Sequence, residues 1–98
     1  MKLRTVVIRI DNSESPIRWG EWANFCQALD YTISYSVWRI VFKGGSDWDG
    51  PKQQACWICE VTDVQAYDIA KDLAEVAEGY NFTGLFVSFI EQCGEDND

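Results

Sequence analysis

Thr62-Asp63-Val64-Gln65-Ala66-Tyr67-Asp68-Ile69-Ala70-Lys71-Asp72-Leu73-Ala74-Glu75-Val76-Ala77-Glu78-Gly79-Tyr80 reads as an amphipathic helix, and its place in the chain decides the fold. Thr62 and Gln65 have the spacing of a capping box, in which each side chain bonds the other residue's backbone N–H. Ala66, Ile69, Ala70, Leu73, Val76, Ala77 and Tyr80 then recur at three- and four-residue intervals, the spacing of one helix face. Gly79 stands where helices commonly end. On either side lies a short apolar run, Gln54 to Val61 before the helix and Gly84 to Ile90 after it, each with the length and composition of a strand.

Working back towards the N-terminus, Gly44-Gly45-Ser46-Asp47-Trp48-Asp49-Gly50-Pro51 is turn-rich and short enough to make an antiparallel hairpin with whatever strand precedes it. That strand is expected over Tyr31 to Lys43, with Trp38, Ile40 and Phe42 on one side and Val37, Arg39 and Val41 on the other. Alternation fails before Ser36, which signals a bulge or a late start. Upstream, Ser15 can cap a helix with Pro16 at its first position. Trp22, Phe25, Cys26 and Leu29 give its apolar face, so a first helix is expected from Pro16 to Leu29. Leu3 to Ile10 is rich in β-branched residues and alternates, which makes it the first strand.

The resulting order is βαββαβ. It predicts one α+β domain over residues 1–98, ferredoxin-like, with a four-stranded antiparallel sheet carrying both helices on one face, and an acidic tail over about 92–98. Such a sheet leaves its second face open. Strands one, two and four carry apolar residues on both faces, so a homodimer or a partner covering the open face is expected, since monomers seldom expose large apolar patches.

A hydrophobic content of 47% over 98 residues supplies enough apolar surface for one core and excludes global disorder. The N-terminal run is cut by Arg9 and Asp11, so neither an export signal nor a membrane span is expected and the cytoplasm is the default location. In that reducing setting the four cysteines read as free thiols. There is no histidine, which removes the usual general base and the commonest transition-metal ligand together. No catalytic residue and no cofactor is expected, and the chain is read as a non-enzyme.

Cys56-Trp57-Ile58-Cys59 has the spacing of a zinc or dithiol pair, but three residues along a strand put the two sulfurs on opposite faces. Asp47-Trp48-Asp49-Gly50 resembles the start of a calcium loop without the residues that complete one. No metal site is therefore expected. A Trp at a loop tip between two carboxylates either suits a protein interface or folds back over the sheet edge.

The net charge of −8 is unevenly placed. Residues 1–59 hold seven basic against six acidic side chains, and residues 60–98 hold ten acidic against Lys71 alone, so the whole excess lies in the C-terminal two-fifths. Phosphate backbones and anionic membranes should be repelled, and a basic protein surface attracted. The third strand also lacks the aromatic signature of sheet-based RNA binding. Asp68, Asp72, Glu75 and Glu78 form an acidic stripe on the second helix and are the expected phosphate stand-ins. Asp47, Trp48 and Asp49 are the expected loop anchor, and Trp19 and Glu21 further partner-binding candidates. This profile resembles that of small acidic viral proteins from phage, the anti-CRISPR and anti-restriction inhibitors. The resemblance implies a nucleic-acid (DNA) mimic acting through protein–protein interaction on a basic nucleic-acid-binding surface. It is one of profile, and no residue is carried across. The competing expectation is a ferredoxin-like regulatory module that dimerises through its sheet and binds a small molecule.

Overall fold

The alternation of β-branched residues after Leu3 produces β1 (Arg4–Asp11), whose Val6, Ile8 and Ile10 are fully buried. The computed structural model of the chain describes residues 2–11, 19–45 and 54–90. After β1 come α1 (Trp19–Ser36), β2 (Arg39–Gly45), β3 (Gln54–Val61), α2 (Asp63–Gly79) and β4 (Leu85–Ile90). The strands make one antiparallel sheet in the order β2-β3-β1-β4. This is the ferredoxin-like βαββαβ fold, with the two central strands separated by helix-bearing connections.

Register fixes which residues meet the helices. Val6 lies opposite Cys59 and Phe89, and Ile8 opposite Trp57 and Val87, so these side chains share one face. Phe25, Leu29 and Ile33 of α1 and Ile69 and Leu73 of α2 are buried in the same cluster, so both helices cover that face. Each of these aliphatic side chains contributes about 1.5–3 kcal/mol by leaving water. Phe25, Phe82, Trp22 and Tyr80 form a tilted aromatic group at one end, with Phe25 and Phe82 centroids 4.6 Å apart.

Helix α2 has the start read from its sequence. Thr62 Oγ1 accepts from the Gln65 N–H at 3.2 Å and Gln65 Oε1 from the Thr62 N–H at 2.9 Å. It also ends at Gly79, as its sequence suggests, and the left-handed residue beyond it is Asn81, at φ 55°. Ala70, expected on the apolar stripe, is exposed.

Two larger corrections concern the segment after Leu29. The first helix does not stop there, and residues 31–36, expected to begin a strand, form its last turns. Ile33 continues the stripe of Trp22, Phe25, Cys26 and Leu29 and is fully buried. Its packing outweighs the strand propensity of Tyr31, Thr32 and Ile33, as tertiary burial commonly does. The second strand accordingly begins at Arg39. Of the two irregularities expected before Ser36 the late start is the one that occurs, and a separate bulge falls between Ile40 and Phe42. Arg39 pairs with Glu60 and Phe42 with Ile58, which places both on the open face, while Ile40, opposite Cys59, turns towards the core. Trp38, Ile40 and Phe42 therefore do not share one side.

Candidate functional site

The capping box and the buried stripe of Ala66, Ile69, Leu73 and Ala77 set the rotation of α2, and with it the direction of its charges. At about 100° per residue, Asp68 and Glu75 lie within about 20° of one another and Asp72 about 40° to one side of Asp68. These three form one flank. Glu78 falls about 80° round from Asp68, beside Lys71, and so belongs to the neighbouring flank. Asp68, Glu75 and Glu78 are exposed and Asp72 is half-buried.

Carboxylates elsewhere in the described residues have partners. Glu60 Oε1 bonds Arg39 Nη2 at 2.8 Å and Nε at 3.1 Å. Asp30 Oδ1 accepts from Lys43 Nζ at 2.9 Å and from the Trp57 indole N–H at 3.0 Å. Asp11 Oδ2 accepts from Gln54 Nε2 at 3.3 Å, and Glu21 is not free either. Burial alone would raise the Asp30 pKa, but the hydrogen bonds from Lys43 and Trp57 and the Lys43 charge outweigh it and hold the carboxyl below its usual range. On α2 the pattern reverses. Among the described residues, Asp63, Asp68, Asp72, Glu75 and Glu78 enter no hydrogen bond through the side chain and no ion pair.

That arrangement works against the helix. Asp68 and Asp72 repel at four-residue spacing, by a few tenths of a kcal/mol. Glu78 lies at the C-terminal end, where the helix dipole disfavours negative charge and where α2 has no basic residue. Two apolar side chains that the sequence analysis left out of the candidate set stand on the same outer face. Val64, 74% exposed, is in line with Glu75, and Tyr67, 87% exposed, lies beside Glu78. Their signal was available, since both fall off the buried stripe.

Of the remaining candidates, Asp47, Trp48 and Asp49 lie outside the described residues, as does the acidic tail. Trp19 is the first described residue of α1 and Glu21 is exposed in the turn that follows. Cys59 is buried among the helices and Cys56, opposite Arg9, is half-buried on the open face, so the two sulfurs diverge. Burial pushes the thiols of Cys26 and Cys59 up to about 11, and at neutral pH they stay protonated.

The open sheet face is apolar at its centre and along its edges. Val7 and Ile58 are half-buried there, and Phe42 (52%), Phe86 (48%) and Ile90 (53%) are about half exposed. Arg9 lies over the Phe86 ring at 4.9 Å, and the Arg39–Glu60 pair closes one corner. No described helix is long and apolar enough to cross a membrane. No protein-family model matches the chain, and no curated protein resembles it in sequence.

Proposed function

We propose that this chain is a non-enzymatic binding protein that lays the outer face of α2 on a basic, nucleic-acid-binding surface of another protein. The supporting observation is the contrast among carboxylates: those on the sheet and on α1 have partners within the chain, and the five on α2 have none among the described residues. Unpaired charge held on a rigid helix at a cost to that helix is available to an external cation. Asp68, Asp72 and Glu75 act as phosphate stand-ins, Glu78 extends the charged area, and Tyr67 and Val64 supply apolar contact inside it. Tyr is among the residues that carry most energy at interfaces. Occupation of the basic surface excludes the partner's own polyanion, so the outcome for the partner is inhibition.

Immobilised chain should retain such a partner from a cell extract, and short duplex DNA or RNA should displace it. A retained protein that nucleic acid fails to displace would contradict mimicry while leaving a binding role.

The half-exposed Phe42, Phe86 and Ile90 favour a second reading, a module that pairs through its open sheet. On a chain of net charge −8, that face carries Arg9 and Arg39 against Asp11 and Glu60 and is close to neutral, so two copies can meet there without strong repulsion. Sedimentation at increasing concentration separates the two readings, because mimicry does not need a dimer.

A further inference from the structure

Helix α1 lies over the β2–β3 side of the sheet, and the two leave between them a cavity of about 310 Å³. That is the lower end of the range in which small-molecule sites are found. Its lining includes the buried Trp22, Cys26 and Trp57 and the more exposed Asp30 and Lys43, and no described residue of α2 lines it. Gly44 and Gly45 form one wall of bare backbone. A side chain at Gly45 would collide with the backbone of Gln54, so glycine there keeps β2 close to β3.

The Asp30–Lys43 pair has a definite hydrogen-bonding valence. Both bonds to the Asp30 carboxylate, from Lys43 Nζ at 2.9 Å and from Trp57 Nε1 at 3.0 Å, fall on Oδ1. Oδ2 takes no bond from any described residue. Of the three donors on the Lys43 ammonium, one is used. An open acceptor and an open donor therefore belong to one ion pair in the lining of the cavity. A lone cation would meet the Lys43 charge and a lone anion the Asp30 charge, whereas a neutral edge with a donor beside an acceptor uses both partners of the ion pair. The net charge of −8 further disfavours a phosphorylated ligand. The Cys26 thiol is held protonated by burial, which removes covalent capture.

We infer that this cavity is a binding site for a small lactam, a ring whose amide N–H donates to Asp30 Oδ2 and whose adjacent carbonyl accepts from Lys43 Nζ. The ligand class is the neutral cyclic amide, and the site is independent of the charged face of α2.

Quinolin-2-one is a suitable probe, with its N-methyl derivative as a control that keeps the shape and the carbonyl and lacks the donor. In a proton–nitrogen correlation spectrum of the full chain, quinolin-2-one should bind saturably, with one site per chain, and shift the Trp57 indole N–H. N-methylation should weaken binding about tenfold, the worth of one good hydrogen bond. Lys43→Met should weaken it by a similar factor. Lys43 is more than half exposed, and the rest of the variant's spectrum reports whether the fold is intact. Absence of saturable binding, equal affinity for the N-methyl derivative, or a Lys43→Met chain that is folded and binds undiminished would each overturn the site. The N-methyl comparison uses the unaltered chain and does not depend on how any variant folds.

Discussion

Asp30 ties three elements together, since from α1 it takes a proton donor from β3 and a cation from β2. Its pKa in the folded chain is below the ordinary 3.8. A carboxyl depressed by folding contributes stability that is complete above its unfolded value and is lost as pH falls through the folded one. Urea melts should therefore show stability declining as the pH drops below about 4, and Asp30→Asn should flatten that decline while lowering stability at pH 7. An acid profile identical in the variant would mean that Asp30 is not the group responsible. The cysteines give a second test at this scale. Cys26 and Cys59 are buried and their thiols titrate near 11, so at pH 8 a thiol reagent should modify Cys56 well before either. Peptide mapping of partly labelled protein that found Cys59 modified as fast as Cys56 would contradict the register of β3.

At the scale of elements, α2 depends on its cap and its stripe. Thr62→Ala should cost about 1 kcal/mol by removing the acceptor for the Gln65 N–H, and Leu73→Ala about 2–5 kcal/mol by leaving a cavity in the core, both measured by urea denaturation. This helix was legible in the sequence because its signals are local, a cap at a fixed spacing and a repeat of 3.6 residues. Helix α1 was legible only in its first half. From Tyr31 to Ser36 the residues favour strand, and what keeps them helical is the burial of Ile33 against elements distant in sequence. The bulge at Ile40/Phe42 was hidden for a related reason, since a bulge shows in the partner strand's register and not in its own residues. With β2 misphased, Lys43 could not be placed towards α1. The Asp30–Lys43–Trp57 cluster and its cavity thus had no sequence signature. The acidic stripe was visible from spacing, while its lack of partners depends on where the arginines go. Arg9 and Arg39 lie on the sheet face opposite the helices.

At the scale of the molecule, two unlike surfaces lie back to back: a helix side on which the α2 carboxylates enter no ion pair among the described residues, and a near-neutral sheet face with half-exposed Phe42, Phe86 and Ile90. If the sheet face pairs two copies, Phe42→Glu should abolish the pairing without altering the melting of the monomer, because Phe42 packs on no core residue that the helices cover. The central claim is that α2 stands in for phosphates, and reversal of its charge tests it most directly. Affinity for the captured partner should be measured at rising salt, for the natural chain and for Asp68→Lys/Asp72→Lys/Glu75→Lys. Near 1 M salt the screening length shrinks to about 3 Å, so binding of the natural chain should fall steeply, and the reversed chain should bind weakly at every salt concentration with little salt dependence. A reversed chain that kept both the affinity and the salt slope would contradict the account.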